Sequence, residues 1–135
     1  MVYDLGSGDG RLLFAALDKG ARRAVGIEIN PLHVQRARQV AKSKGLDDRI
    51  TFLEADVTDV NLSEATVVLC YLFTTASKVL MPKFESELKR GTRVVMESFP
   101  ILEWKPAHST PKGCKQFFLY IMPPTLASKT DLWVT

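Results

Sequence analysis

The chain has 135 residues, enough for a single domain over residues 1–135 that buries roughly two thirds of the surface of the unfolded chain. Apolar residues make up 46% and charged residues 24%, and no apolar run approaches the ~18 residues of a membrane helix, which excludes membrane insertion by a helix. The net charge of +3 is small and shows no basic stripe interleaved with aromatic residues, which argues against a nucleic-acid partner.

Strands and helices alternate through the first half of the chain. The predicted elements are a strand at 2–5, a helix at 11–19, a strand at 23–29, a helix from 31 to about 45 and a strand at 50–53. Asn30 before Pro31 is typical of a helix N-cap followed by the first helical position. Gly20 and Gly45 suit the helix ends.

The second half continues the alternation. A strand is predicted at 65–73, a helix from about 75, a strand at 92–99, a loop at 100–115 and a strand at 117–122, whereas the tail 123–135 fits no pattern. Pro82 marks either a break or a restart of the helix. Helices between nearly continuous apolar strands predict an α/β fold with a doubly wound, mostly parallel sheet and helices on both faces.

The cysteines indicate neither a metal site nor a disulfide framework. Cys70 and Cys114 form no C-x-x-C pair, and no histidine lies at metal-ligand spacing. Cys70 lies in an apolar run and predicts a buried thiol, so a reducing, cytoplasmic location is expected. Met1 leads directly into a strand-like segment, so no signal peptide is expected.

A glycine-rich loop, Asp4-Leu5-Gly6-Ser7-Gly8-Asp9-Gly10, follows the first predicted strand, at the strand end where open α/β sheets bind ligands. The dinucleotide pattern G-x-G-x-x-G/A fails because Arg11 occupies the third glycine position, and no G-K-[ST] follows. Asp4 and Asp9 would repel a pyrophosphate but suit the ammonium and sulfonium groups of S-adenosylmethionine (SAM). A purely structural strand-to-helix turn is the alternative.

Two further acidic residues lie at predicted strand ends. Glu28 ends the second strand about 20 residues beyond the loop, where a carboxylate can accept hydrogen bonds from ribose hydroxyls. Asp56 follows the third strand and is expected to bind an adenine amine, with Ile29 and Val57 on either side of the ring. The alternatives are a solvated charge for Glu28 and a cap of the following segment for Asp56.

The loop D-L-G-S-G-D-G followed by G-I-E-I-N resembles the class I SAM-dependent methyltransferases over residues 2–99. The resemblance implies SAM as the cofactor, with the glycines beside its methionine part, Glu28 on the ribose and Asp56 on the adenine. The implied cofactor-binding residues are Asp4, Gly6, Ser7, Gly8, Asp9, Gly10, Glu28, Ile29, Asn30, Asp56 and Val57.

A narrower resemblance is to small archaeal protein-lysine methyltransferases and the family that methylates the c-subunit of ATP synthase. It rests on residues 65–68, 71–74, 82–89, 91–95, 99 and 104–106. This resemblance implies a protein substrate that presents a lysine. Members carry a segment before the first strand that covers the methionine end of SAM, so we expect either a fold that is incomplete at the N-terminus or an open pocket. They also have two strands after the Trp-x-Pro stretch, and residues 107–115 look too short and proline-rich for the first of them.

The acceptor site is expected at the end of the fourth predicted strand. A lysine must be neutral to attack a methyl group, and aromatic surroundings lower its pKa. We expect Tyr71 and Phe73 to wall the acceptor and Thr74 to accept a hydrogen bond. Strand alternation leaves open that one of the two aromatic residues belongs to the core.

The residues at this same position also bear on other possible functions. Nucleic-acid base methyltransferases carry Asn or Asp, Pro-Pro and an aromatic residue here, whereas this chain has Tyr-Leu-Phe-Thr, which argues against that class. A small-molecule methyltransferase and a SAM-binding module without activity stay open as alternatives. The sequence leaves open the substrate, the number of methyl groups and the oligomeric state.

Overall fold

A computed structural model of the chain describes residues 1–113, 115–128 and 130. The strands are β1 (Val2–Leu5), β2 (Ala24–Glu28), β3 (Ile50–Glu54), β4 (Val67–Cys70), β5 (Arg93–Glu97), β6 (Trp104–Lys105), β7 (His108–Ser109), β8 (Phe117–Ile121) and β9 (Thr125–Leu126). Seven of them form the main sheet in the order β3-β2-β1-β4-β5-β8-β7, and β6 pairs with β9.

Helices cover both faces of the sheet, as the alternating pattern predicts. They are α1 (Arg11–Asp18), α2 (Pro31–Ser43) and α3 (Thr74–Glu87). Apolar residues of α1 and α2, such as Leu13 and Ala37, pack on one face of the sheet. Phe84 of α3 packs on the other face with Trp104 and Tyr120. The doubly wound α/β prediction is confirmed.

The parallel pairing of β3, β2, β1, β4 and β5 places their carboxyl ends along one edge of the sheet. Asp4 on β1 lies opposite Gly26 on β2 and Leu69 on β4, so it is held between two neighbouring strands near this edge. Strand β8 runs antiparallel to β5 and returns the chain to the opposite edge. Residues that follow β1 to β5 therefore converge, although they are far apart in sequence.

The extent of β4 and the path of α3 differ from the predictions. Strand β4 covers only Val67–Cys70, because its neighbours β1 and β5 pair with it no further than Cys70. Residues 71–73 therefore leave the sheet before α3 begins. Pro82 neither breaks nor restarts α3, which runs through it from Thr74 to Glu87. Buried Leu80 and Phe84 anchor the helix on either side of the proline, which offsets the backbone hydrogen bond that Pro82 removes.

The segment predicted as loop, 100–115, contains two short strands, so that prediction is wrong there. Strand β7 pairs with β8 at His108 and Ser109, so the expectation that residues 107–115 are too short and proline-rich for a strand is also wrong. The tail begins with β9, which pairs with β6. Two-residue strands contain no alternation to detect. Cys114, Lys129 and residues 131–135 lie outside the described residues. Across the described part of the chain, no helix has the length and hydropathy to cross a bilayer.

Gly10 provides a test of how the glycine loop closes on the sheet. It has φ +83°, and a Cβ there would lie 2.6 Å from Phe52 Cζ. We expect Gly10→Ala to lower the free energy of unfolding by about 2–4 kcal/mol, from left-handed strain and overpacking together. Gly20, with φ +104° and no atom within 4 Å of such a Cβ, is the matched control, with about 1–2 kcal/mol from strain alone. Urea denaturation without SAM measures both variants, and equal losses would contradict the close contact with Phe52.

Candidate active site

The glycine loop uses its own backbone N–H groups to hold its shape. Those of Gly6 and Ser7 both donate to the carbonyl oxygen of Ile27, at 2.8 and 3.0 Å. The N–H of Gly8 donates to Glu28 Oε1 at 2.9 Å. Phosphate-binding loops aim such N–H groups at the anion. Since these donors are bound within the protein, the loop is not built to cradle a pyrophosphate, in agreement with the sequence argument against dinucleotides.

Glu28 joins the loop to the end of β2 and the start of α2. Its Oε1 accepts the N–H of Gly8, and its Oε2 accepts the N–H of Asn30, both at 2.9 Å. The side chain of Asn30 in turn caps α2 by accepting the N–H of Leu32 at 3.0 Å, as predicted. Each carboxylate oxygen has a second lone pair. Glu28 can therefore brace the loop and still accept hydroxyl hydrogen bonds from a ligand.

A cleft of about 230 Å³ lies at the carboxyl ends of β1 to β4. Its lining residues are Gly6, Ile27, Glu28, Ile29, Ala55, Asp56, Val57 and Leu72. Whole ligands occupy pockets of roughly 300–1,000 Å³, so this cleft is sized for part of a cofactor, such as an adenosine. A larger cavity, about 600 Å³, includes Gly91 and Met122 at the opposite edge of the sheet. We assign the site by its polar groups, because they converge at the smaller cleft.

Five of the residues predicted to bind the cofactor lie together in the structure. Gly6, Glu28, Ile29, Asp56 and Val57 all line this one cleft. Ile27, Ala55 and Leu72 were missed, because apolar residues beside strand ends carry no motif. Their position directly next to Glu28, Asp56 and Tyr71 is the signal that could have found them.

Asp56 caps the turn that follows β3. Its Oδ1 accepts hydrogen bonds from the backbone N–H of Thr58 at 2.9 Å and from the Thr58 hydroxyl at 2.8 Å. These bonds hold the pKa of Asp56 below its usual value. The capping role weighed in the sequence analysis is thus present. The contact with adenine stays a prediction and rests on the second carboxylate oxygen.

Asp9 is neutralised by its neighbour Arg11. It accepts the backbone N–H of Arg11 at 3.1 Å, and its other oxygen lies 3.1 Å from the guanidinium. The hydrogen bonds from Arg11 lower the pKa of Asp9. Both side chains are exposed. The role of Asp9 toward a cofactor stays a prediction, and its observed contacts are those of a residue that organises the start of α1.

Asp4 is a buried carboxyl group surrounded by negative charge. It is 4% exposed, and burial, followed by the charges of Glu28 and Glu97, raises its pKa to about 7. A cation bound beside Asp4 would favour its ionised form. Ser7 Oγ is buried nearby in the loop and has no hydrogen-bond partner among the described residues. The ammonium and sulfonium of SAM therefore fit this group of residues in sign and in hydrogen-bonding need.

An exposed aromatic cluster follows β4 and β5. Tyr71 and Phe73 are 58% and 69% exposed, so the alternative that one of them belongs to the core is wrong. Their ring centroids lie 6.1 and 5.0 Å from that of Phe99. Thr74, the third predicted acceptor residue, is half-buried at the start of α3. Phe99 and Glu97 were missed, although the strand-end rule that identified Glu28 applies equally to the end of β5.

Metal binding receives no support from the geometry. Within residues 1–113, 115–128 and 130, no group of three His, Cys, Asp or Glu side chains is placed to hold an ion. The thiol of Cys70 is buried, as predicted, and burial raises its pKa.

Comparison with known sequences places the chain in a family. The family described as "ANTKMT methyltransferase domain" matches residues 4–108. A protein-lysine N-methyltransferase of Saccharolobus islandicus is 43% identical over 78% of this chain and 66% of its own length. The adenine nucleotide translocase lysine N-methyltransferase of Mus musculus is 35% identical over 88% of this chain and 52% of its own length. The chain thus spans about half to two thirds of these relatives.

Solved structures agree with this placement. An RNA methyltransferase from Salinibacter ruber, in complex with S-adenosyl-L-homocysteine, superposes with a TM-score of 0.86 and 37% identity, covering 90% of this chain and 80% of that one. A ribosomal protein L11 methylase from Lactobacillus delbrueckii shares the fold with a TM-score of 0.72 and 18% identity, over 87% and 67% of the two chains. The chain belongs to the ANTKMT methyltransferase domain family, within the class I methyltransferases that use SAM as cofactor.

Proposed function

We propose that this domain transfers a methyl group from SAM to the side-chain amine of a protein lysine. The observation that carries the proposal is the position of the exposed aromatic cluster Tyr71, Phe73 and Phe99 directly after β4 and β5, beside the acidic cofactor cleft. The relatives from Saccharolobus islandicus and Mus musculus, both named as lysine N-methyltransferases, support the choice of acceptor.

The cofactor half of the site is the cleft together with Asp4. It would bind SAM through carboxylate side chains and through apolar walls. Glu28 keeps lone pairs for the ribose hydroxyls, and Asp56 keeps one oxygen for the adenine amine. Asp4 would take the ammonium of the methionine part. When bound, SAM supplies an activated methyl carbon. The protein fixes its position by these polar contacts and by the apolar walls Ile29 and Leu72.

The acceptor half of the site would prepare the nucleophile. An ammonium has no lone pair, so the lysine loses its proton to solvent before it reacts. The faces of Tyr71 and Phe73 exclude water from the amine and favour its neutral form. They also restrict its line of approach, as in-line displacement requires. The new nitrogen–carbon bond forms as the sulfur–carbon bond breaks, and the sulfur keeps the bonding electron pair.

An RNA acceptor is the second candidate, because the structure from Salinibacter ruber bears that name at 37% identity. Exposed aromatic side chains stack on bases as well as contact amines. However, Asp4, Glu28 and Glu97 make this edge of the sheet negative, which disfavours the approach of a phosphate backbone. We therefore place the lysine first.

We also propose a reducing, cytoplasm-like compartment. The support is the buried free thiol of Cys70. Fractionation of the source cells against compartment markers would check it.

Substitution of Glu28 tests whether its carboxylate binds the ribose of SAM. Glu28→Ala is expected to weaken SAM binding by about 1–3 kcal/mol, the range for leaving buried polar partners unpaired. Glu54 is the matched control, since it lies opposite Glu28 at the end of β3 and is exposed. Calorimetric titration should show unchanged affinity for Glu54→Ala. If the Glu28→Ala variant and the natural chain bind SAM with equal affinity, Glu28 is not a ligand of the ribose.

The raised pKa of Asp4 predicts that SAM affinity depends on pH. Its pKa of about 7 in the unliganded protein means that the group carries a proton below pH 7. Binding of the cofactor ammonium favours the carboxylate, so binding below pH 7 must release that proton. We expect the Kd for SAM to rise as pH falls, by up to about tenfold per pH unit for one linked proton. The Asp4→Asn variant should bind weakly without this slope, and the exposed Asp18→Asn should keep it. A flat profile for the natural chain would contradict the assignment.

Substitutions of Tyr71 and Phe73 test whether these side chains position a protein lysine as the methyl acceptor. The full chain is incubated with isotope-labelled SAM and either a lysine-rich protein mixture or total RNA. Label on protein lysine supports the proposal, label on RNA supports the second candidate, and SAM binding without transfer indicates an inactive module. We expect Tyr71→Ala and Phe73→Ala to reduce transfer roughly tenfold or more with unchanged SAM affinity, because the amine is no longer positioned. Val79→Ala, an exposed apolar change on α3, is the control. Full transfer by both aromatic variants would show that the acceptor approaches elsewhere.

A further inference from the structure

A carboxylate that neither the cofactor nor the sequence motifs explain lies beside the acceptor cluster. Glu97 is the last residue of β5, and the register places Val95, two residues earlier, opposite Leu69 on β4, which is opposite Asp4 on β1. Side chains alternate along a strand, so Glu97 lies on the same face of the sheet as Asp4. Its charge acts on Asp4. Glu97 therefore lies between the cofactor half and the outer rim of the site.

An alkylammonium already occupies this carboxylate. The Nζ atom of Lys115 lies 3.2 Å from Glu97 Oε1. The side chain of Glu97 is 18% exposed, whereas that of Lys115 is 77% exposed. The anion is thus held by the fold, and the cation reaches it from the solvent side. Ion pairs with so exposed a lysine are weak, so another primary ammonium can exchange with it.

Phe99 of the aromatic cluster follows two residues after Glu97, beyond a turn of the backbone. Ser98 has φ +68°, an uncommon value for a residue with a side chain, and it reverses the chain. The N–H of Phe99 then donates to the carbonyl oxygen of Glu97 at 2.8 Å. After this turn, the ring centroid of Phe99 lies 5.0 Å from that of Phe73 and 6.1 Å from that of Tyr71. The aromatic faces can contact the alkyl part of a lysine side chain, while the carboxylate attracts the ammonium at its tip.

We propose that Glu97 binds the ammonium of the incoming substrate lysine, and that Lys115 occupies this carboxylate until the substrate displaces it. The inference rests on the proposed lysine methyltransferase function and names the group that selects the acceptor. A carboxylate at the rim selects a cationic side chain over neutral ones and disfavours phosphates. It acts before the chemical step, which the neutral amine performs after its proton has left to solvent.

The kinetic test separates selection of the acceptor from the chemical step. Glu97→Gln is expected to raise KM for the protein substrate roughly fivefold or more with kcat unchanged, and both are measured at saturating SAM because the charge of Glu97 also acts on Asp4. Lys115→Met removes the internal competitor and should lower KM about two- to fivefold. Lys112→Met, an exposed lysine of the same loop, is the control and should change neither constant. If Glu97→Gln and Lys115→Met raise KM equally, the ion pair is only a structural brace and the inference is overturned.

A binding test keeps the inference independent of turnover. The full chain is titrated with n-butylammonium chloride, and NMR follows the ring resonances of Tyr71 and Phe73. Saturable shifts are expected in the natural chain, tighter binding in Lys115→Met and loss of binding in Glu97→Gln, with thermal unfolding to confirm that each variant is folded. Binding that depends on Glu97 without any methyl transfer to protein would contradict the proposed reaction but support this site. Equal binding by the natural chain and Glu97→Gln would overturn the site, whatever the reaction.

Discussion

The carboxylate of Glu28 accepts two backbone N–H groups from different parts of the chain, and the shape of the site depends on this bridge. One N–H belongs to Gly8 in the glycine loop and the other to Asn30 at the start of α2. The bridge fixes the loop over the end of β2 and sets where α2 begins. Removing the carboxylate would leave both donors unpaired, at about 1–3 kcal/mol for each that is buried. The cleft at the ends of β1 to β4 exists because these segments are held together.

The charges along this edge of the sheet divide into two groups. Asp9 and Asp56 are bound by neighbouring donors, so they contribute to local structure. Asp4 is buried among negative charges instead, which raises its pKa. In the proposed function, this unbalanced carboxyl group favours a cationic cofactor over a nucleotide phosphate. Glycine loops of similar sequence can thus bind ligands of opposite charge, depending on which acidic residues are neutralised locally.

Much of the fold and of the cofactor half could be predicted from sequence, because both depend on local patterns. The alternation of apolar runs and helical patterns indicates the sheet, and Glu28 is found by its spacing from the loop. Strands β6, β7 and β9 could not be predicted, since two residues show no period and depend on a partner strand. The early end of β4 depends on where its neighbours stop. Glu97 was missed because the predicted strand 92–99 ends two residues too late for the strand-end rule to find it. The register of β5 against β4 shows where it lies.

The hydrogen bonds from the glycine loop to Ile27 and Glu28 form within the chain, so the proposed cofactor half is organised before any ligand arrives. Little conformational entropy then remains to be lost on binding, and the cofactor does not have to organise its own site. The proposed acceptor half is built by exposed aromatic side chains of the segments that follow β4 and β5, where Leu72 also lines the cofactor cleft. Substitutions at the exposed aromatic positions can therefore alter the choice of substrate while the cofactor half keeps its structure. The same scaffold can in this way serve different methyl acceptors.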